Sequence, residues 1–422
     1  MTLNTLAALR RELDKCVKCA ACQAGCPTYE TTRRETLSAR GKLQLAQALL
    51  DGRLALTKRV ENDFAQCLSC MSCAEACPAQ VDTLKIFTAV RAEGFNARAG
   101  AATRFLFRHI LPYPARLNAL AKAVGVLALA YQKAPAWLAR FLPFTARGAR
   151  RLTPDLLARN LRTMLDEVND PLRPRANGAV RTVAYFSGCM TDLAYARTGQ
   201  EIIARLNGAG VKVIFPKAQV CCGAPAYFSG GMEPFERLAR ANLELLANLD
   251  VDAIVYSCAT CGSVLGHTYA RCFPNDPRAR ALTEKVVDVQ QLFVELAIEK
   301  VLRERPGKKL RVTWHDPCHL RRGMGVKNAP RELLASLPRV EFVEMEGADR
   351  CCGGAGAFSL AYYGMAVELG AFKAEAIRAS GADAVVTSCP SCQLQIADSL
   401  RRAGLEHIPV LHTAELIRLV AD

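Results

Sequence analysis

The chain has 422 residues, of which 51% are hydrophobic and 23% charged. That is enough apolar content for two or three domains with real cores, and too much for a disordered polymer. The net charge of +15 invites anionic partners, but no nucleic-acid reader motif accompanies it, so nucleic-acid binding is not expected. No run approaches the roughly 20 apolar residues of a membrane span; the longest candidate, 123–131, is bracketed by Lys122 and Lys133. Nineteen cysteines, behind an amphipathic start (Met1 to Leu13) that lacks the apolar core of an export signal, predict thiols that bind metal in a reducing cytoplasm and not disulfides.

In chain order, a short helix is predicted over Leu3 to Asp14, and it leads into Cys16-Val-Lys-Cys19-Ala-Ala-Cys22-Gln-Ala-Gly-Cys26-Pro27. Helical periodicity over Leu37 to Leu50 follows. Next comes Cys67-Leu-Ser-Cys70-Met-Ser-Cys73-Ala-Glu-Ala-Cys77-Pro78, and then a helix from Thr83 to Gly94. Both cysteine runs read C-x2-C-x2-C-x3-C-P, the bacterial ferredoxin spacing for cubane [4Fe–4S] clusters, in which the fourth Cys ligates the other cluster. Cys16, Cys19, Cys22 and Cys77 are therefore expected at one cluster, and Cys67, Cys70, Cys73 and Cys26 at the other. Forty residues separate the runs, more than a minimal ferredoxin needs, so residues 1–97 are expected as a helical two-cluster ferredoxin-like module. Lys15 and Lys18, beside the first run, read as solvated charges.

Residues 98–178 contain fourteen Lys/Arg against Asp155, Asp166, Glu167 and Asp170, a net of ten positive charges, and no cysteine. Prolines at 112, 114, 135, 143 and 154 are expected to cut this basic middle into short helices. Its apolar residues come in two groups. The first is Phe105, Leu106, Phe107, Ile110, Leu111 and Tyr113; the second is Trp137, Leu138, Phe141, Leu142 and Phe144. Two readings stand: interfacial helices on an anionic leaflet, at the inner face of the cell membrane, or packing against the chain's own domains or a partner subunit.

From Val180 the chain repeats itself. Predicted strands at Val183–Phe186, Val211–Phe215 and Ala253–Tyr256 precede Cys189, Cys221-Cys222-Gly223 and Cys258-Ala-Thr-Cys261, with a helix over Phe235 to Leu249. Strands at Leu310–Trp314, Val340–Val343 and Ala384–Thr387 precede Cys318, Cys351-Cys352-Gly353 and Cys389-Pro-Ser-Cys392, with a helix over Met365 to Ala379. The run beginning Val286-Val-Asp echoes the one beginning His407-Ile-Pro. Thirty-one and thirty-two residues separate the first thiol from the Cys-Cys pair in the two halves; thirty-five and thirty-six separate that pair from the last two. Strands alternating with helices predict two tandem α/β lobes (179–305 and 306–422) with parallel sheets and ligands at the strands' carboxyl ends. The whole is thus expected as an α+β multidomain protein.

Each lobe offers five thiols, one more than a tetrahedral zinc site uses: Cys189, Cys221, Cys222, Cys258 and Cys261, then Cys318, Cys351, Cys352, Cys389 and Cys392. Only Cys272 is left over, and it reads as a small apolar filler. His315 and His319 flank Cys318. Either would hydrogen-bond a sulfur and tune its potential, carry a proton, or simply orient the loop. Gly353-Gly-Ala-Gly356 does not fit the dinucleotide fingerprint and is better explained by close backbone approach to a cluster. No flavin or nicotinamide fingerprint and no Ser/His/Asp constellation is present.

The duplicated thiol pattern resembles the cysteine-rich (CCG) domain of heterodisulfide reductase catalytic subunits, whose five-Cys form binds non-cubane [4Fe–4S] clusters. The order of parts, with Cys26-Pro-Thr-Tyr29, Arg40-Gly41-Lys42 and His315-Asp-Pro-Cys318-His319, resembles the iron–sulfur subunit of glycolate oxidase. Related subunits serve D-lactate and anaerobic glycerol-3-phosphate dehydrogenases. The resemblance implies two cubane clusters, one or two further clusters in the CCG lobes, and an electron-transfer role in an oxidoreductase complex. An FAD-dependent 2-hydroxyacid dehydrogenase on another chain would supply electrons, and a quinone or other carrier would take them. Many members of the 2-hydroxyacid group lack some Cys in one repeat. Here both repeats are complete, which keeps open the alternative of a heterodisulfide reductase-like catalyst that reduces a disulfide at its own clusters.

Overall fold

The computed structural model describes residues 5–135, 145–146, 149–172 and 181–421. The N-terminal module is helical. A 3-10 turn (Leu6–Leu9) runs into the helix Arg10–Asp14, and the helix Ala39–Leu50 begins at Ser38, whose side chain caps the Gly41 N–H at 2.9 Å. Asp82 caps the helix Thr83–Arg98 in the same way. This last helix runs four residues past its predicted end at Gly94, because the bare face of that glycine lies against Glu61 of the helix Lys58–Ala65. Leu9, Leu13, Leu43, Ala46, Phe64, Ile86 and Val90 close a core of their own.

The basic middle departs from the expected short helices. Pro114 occupies the first turn of a single twenty-residue helix, Pro114–Lys133, where a missing N–H costs nothing; the next proline is Pro135, just past its end. Before it, Phe107 and Leu111 are buried in the core shared with the lobes while Phe105 is 59% exposed, so the first apolar group packs inward in part. The second group (137–144) lies outside the described residues. After the helix, Arg151 is buried and hydrogen-bonds the Ser359 hydroxyl at 2.9 Å, Leu152 N–H donates to Asp398 at 2.6 Å, and Arg162 pairs with Asp192 at 2.6 Å. The segment therefore straps both lobes. It also supplies an edge strand, β1 (Val168–Asn169), which a two-residue run between acidic flanks did not announce.

Lobe 1 contains β2 (Arg181–Phe186), β3 (Val211–Ile214), β4 (Ala253–Tyr256) and β5 (Val286–Asp288). Its sheet order is β1-β3-β2-β4-β5, with β1 antiparallel and the rest parallel. Lobe 2 contains β6 (Leu310–Trp314), β7 (Val340–Phe342), β8 (Ala384–Val386) and β9 (Val410–Leu411), in the order β9-β8-β6-β7, all parallel. Apart from β1 the two sheets have one topology. The helix that closes lobe 1 (Val289–Glu295) packs on the helix Ala329–Ser336 of lobe 2, and the helix that closes lobe 2 (Thr413–Val420) packs on Ala196–Gly208 of lobe 1. This reciprocal exchange makes one continuous core from both lobes. It also turns the carboxyl ends of both sheets toward each other.

Candidate metal centres

The two ferredoxin runs fold alike. In each, the residues on either side of the second Cys are left-handed: Lys18 and Ala20 (φ 59° and 66°), Ser69 and Met71 (φ 55° and 61°). Left-handed backbone costs a non-glycine residue roughly 1–2 kcal/mol, and the repeated pair curls three thiols toward one point. Cys16, Cys19, Cys22 and Cys77 line one small cavity, and Cys26, Cys67, Cys70 and Cys73 line a second; Cys73 borders both. Backbone N–H groups already face sulfur, from Ser69 to Cys67 (3.4 Å) and from Val81 to Cys77 (3.5 Å). Thr83 Oγ1 lies 3.1 Å from Cys73 Sγ.

Two cations that sequence reading gave no role stand beside the second cavity. Lys42 is buried in its wall and donates to the Leu37 carbonyl at 2.6 Å. Arg91, on the helix Thr83–Arg98, donates to Phe64 O, Cys67 O, Ser69 Oγ and Phe228 O at 2.6–3.2 Å. It thereby ties the second cysteine run to lobe 1.

In the lobes, each thiol follows the carboxyl end of a parallel strand. Gly223 and Gly353, directly after the Cys-Cys pairs, have φ of +91° and +84°, a turn that only glycine makes without strain; it brings both pair members to the sheet's end. A Cβ on Gly188 would stand 2.7 Å from Cys261 Sγ, so that glycine keeps room for the thiol. All ten lobe thiols line a single cavity of about 490 Å³, which also reaches Cys67 and Ser69 of the N-terminal module. Cys70 and Cys351 pack in one buried cluster, and Cys258 and Cys389 line the same cavity at the lobe boundary. The Ala259 N–H donates to Ser388 O at 3.0 Å across the lobe boundary.

The chemistry of this donor set fits iron–sulfur groups. Burial pushes the Cys22 and Cys26 thiols up, and Cys73 far up, with charge on neighbouring sulfurs adding to it. Such a crowd of thiolates is stable only around cations. Soft sulfur donors in sets of four and five suit iron–sulfur assemblies and exceed zinc's tetrahedral need. Within the lobes the environment selects particular thiolates. Cys222 is drawn down to about 6 by its neighbours Cys221 and then Cys261, and Cys352 is drawn well down by Cys392 and then His315.

The two flanking histidines take different places. His315 Nδ1 sits 3.1 Å from Ala348 O, and its ligand atom, Cys352 and Cys392 lie within 4.8 Å of one another. His319 is buried where three parts meet: Nε2 is 3.1 Å from Ser69 O, Nδ1 is 3.1 Å from Thr260 Oγ1, and the ring stacks on Phe228 at 5.1 Å. Burial lowers its pKa. Cys272 lies apart at the end of the helix Tyr269–Cys272, its thiol raised to about 11 by burial.

A helical module with two four-thiol cavities, joined to twin α/β lobes with five thiols each, defines an iron–sulfur protein of the oxidoreductase class. The 4Fe-4S dicluster domain family matches residues 12–81, and the cysteine-rich (CCG) domain family matches 183–266 and 312–397. The chain is 31% identical over 425 residues to the probable glycolate oxidase iron-sulfur subunit of Bacillus subtilis, covering 96% of this chain and 93% of that one. It is 26% identical over 447 residues to a subunit of the dihydromethanophenazine:CoB--CoM heterodisulfide reductase of Methanosarcina barkeri (100% and 96% covered). It is 32% identical over 241 residues to the lactate utilization protein A of Geobacillus sp. (56% and 98% covered). The chain belongs to the family of glycolate oxidase-type iron–sulfur subunits, and it carries several [4Fe–4S] clusters. Among the described residues, no helix is long and apolar enough to cross a membrane.

Proposed function

We propose that this chain is the electron-transferring subunit of a 2-hydroxyacid dehydrogenase complex acting on glycolate or D-lactate. A flavoprotein on another chain oxidises the hydroxy acid, and a quinone or other carrier receives the electrons. Cys16, Cys19, Cys22 and Cys77 would hold one cubane cluster, and Cys67, Cys70, Cys73 and Cys26 the other. The five-thiol sets of the two lobes would hold non-cubane clusters. When bound, such clusters supply one-electron transfer between neighbours. The observation that carries this reading is the unbroken adjacency of the thiol sets. The first and second cavities share Cys73, the second meets lobe 2 at Cys70–Cys351, and lobe 2 meets lobe 1 at Cys389–Cys258. On this reading the four sites would be neighbours in sequence of transfer, with Arg91 and His319 joining the N-terminal module to the lobes. The long helix Pro114–Lys133 and the basic segment around it would seat the molecule at the inner face of the membrane, where a quinone is found.

A second reading rests on one feature: the ten lobe thiols share one cavity, as a catalyst that splits a disulfide between two metal sites would require. A single experiment separates the two. The protein is purified anaerobically from its native host, and glycolate, D-lactate and a thiol disulfide are each offered to it. Co-purification of an FAD-dependent dehydrogenase, with hydroxy acid bleaching the iron–sulfur absorbance, supports the relay. In that complex Cys70→Ser should deplete one cluster and uncouple substrate oxidation from the acceptor, and full acceptor reduction by the variant would refute the relay. Recovery without a flavoprotein, together with disulfide-dependent reoxidation, would make the chain itself the catalyst.

A further inference from the structure

The two lobes share a topology but not a charge. Sixteen residues before the first Cys of each C-x2-C pair stand Asn242 in lobe 1 and Lys373 in lobe 2. Both lie on the long helix of their lobe (Met232–Ala247 and Tyr363–Ser380) and both are buried, 0% and 2% exposed. Both also serve the loop that leads into the Cys-Cys pair. Asn242 Nδ2 donates to Val220 O (3.3 Å) and Cys221 O (3.1 Å), whereas Lys373 Nζ donates to Gly347 O (2.6 Å) and Ala348 O (3.2 Å). One side chain is neutral and the other a cation.

A second pair of positions also differs in polarity. Three residues before Cys189 stands the buried Phe186; three residues before Cys318 stands the buried His315, on the Ala348 carbonyl that Lys373 also uses. The Lys373 side chain is thus seated on the loop that runs into Cys351 and Cys352. Asp349, the acidic group nearby, is taken by Arg322 at 3.0 Å.

We propose that Lys373 acts through the Cys351–Cys352 thiolates to make the lobe 2 site the more easily reduced of the two cysteine-rich sites. The physical cause is Coulombic. Reduction adds one electron to the metal group and lowers its charge by one. A fixed cation in a low-dielectric wall stabilises that product far more than an amide does. The inference rests on the reading that both lobes are metallated.

The test is an anaerobic redox titration of the full chain with dithionite and mediators, followed by EPR. Cys258→Ala and Cys389→Ala variants assign the signals to lobe 1 and lobe 2, and iron is counted throughout. In Lys373→Asn, the lobe 2 reduction equilibrium should fall at least tenfold, about 59 mV for one electron, while the lobe 1 signal stays in place. Lys373→Arg, which keeps the charge, should recover most of the difference. A fully loaded Lys373→Asn protein with an unmoved lobe 2 midpoint overturns the proposal, as does an equal fall in both lobes. If Lys373→Asn does not fold, the reciprocal Asn242→Lys should raise the lobe 1 midpoint, and no rise overturns the proposal. A wild-type iron count that leaves one lobe empty refutes the metallation reading instead.

Discussion

Arg91 shows how much one side chain can connect in this molecule. Its guanidinium hydrogen bonds end on neutral oxygens of three separate segments: the helix Lys58–Ala65, the Cys67–Cys70 loop, and the Phe228 turn of lobe 1. The planar fork suits this task, since its donors are fixed in direction, and an ammonium with three donors on one atom cannot reach the same set. Removing it leaves the Cys67 and Phe228 carbonyls without a donor, since Phe64 O keeps the Cys67 N–H, at about 1–3 kcal/mol for each that stays dry. Arg91→Ala should therefore loosen the seam between the N-terminal module and lobe 1 by about 3 kcal/mol. Hydrogen exchange would report this as faster exchange over 66–70 and 226–231, with the helix Ala39–Leu50 unchanged, and Arg91→Lys would recover only part of the loss. Uniform exchange across the seam and that helix would instead mean that Arg91 supports the fold as a whole.

At the scale of elements, the helices that close each lobe begin on buried caps of opposite chemistry. Asp288 accepts the Gln290 N–H at 2.9 Å, and burial raises its carboxyl to about 7. His412 Nδ1 accepts the Ala414 N–H at 3.2 Å, and burial lowers its ring to about 4. The signs oppose each other. Between the ordinary carboxylate value and about 7, the folded chain binds the Asp288 proton more tightly than the unfolded chain, so this contribution is full in acid and is lost as pH rises. Between about 6.5 and about 4, the unfolded chain binds the His412 proton more tightly, so this contribution is full above 6.5 and is lost as pH falls. Over pH 4.5–6.5 the two slopes, each at most about 1.4 kcal/mol per pH unit, nearly cancel. Asp288→Asn should expose the histidine slope, with protection of the helix Thr413–Val420 falling toward acid. His412→Asn should expose the opposite one in Val289–Glu295. Parallel profiles in both variants would remove the argument.

The same elements indicate what could be read from the sequence. The strands that deliver thiols were legible because a short β-branched run is bounded by a Cys-bearing turn, and Ala253–Tyr256 and Leu310–Trp314 fall where expected. Lys373 was legible in principle: Ala366, Gly370 and Ile377 are buried at helical spacing around it, so a lysine sits on an apolar stripe. His319 was legible as a residue but not its partners, and Arg91 was not legible at all: their contacts with Ser69 and Phe228 span 250 and 137 residues of sequence, and no local pattern encodes such contacts. The strand Val168–Asn169 was hidden for the same reason, since it exists only because β3 offers it an edge.

For the whole molecule, charge and apolar surface coincide in one place. The helix Pro114–Lys133 lies within the sequence segment 98–178 that holds the excess of positive charge; it buries only Ala121 and Gly125 and leaves Leu120, Val124, Val126, Leu127 and Leu129 exposed. Val126 and Leu127 are 60% and 69% exposed, on a face that also carries Ala119, Ala123 and Ala130. Local contacts anchor the helix to the body: Lys122 Nζ donates to Leu157 O at 2.9 Å, and the Arg116 guanidinium lies 4.3 Å above the Tyr113 ring. Its free side is thus apolar and rigidly presented. Such a face, on a helix that carries Arg116, Lys122 and Lys133, suits the boundary of an anionic leaflet: buried apolar area supplies the contact, and each nearby Lys or Arg adds about 1 kcal/mol. The full chain should therefore bind vesicles of anionic phospholipid more tightly than neutral ones, and rising salt should weaken the difference as the charges are screened. Val124→Glu with Leu127→Glu should lower the partition coefficient roughly tenfold or more while iron content and cluster absorbance stay constant, since neither residue faces a thiol. If the double variant and the parent partition alike, that face meets a protein partner or nothing, and the quinone side of the relay must be sought elsewhere on the molecule.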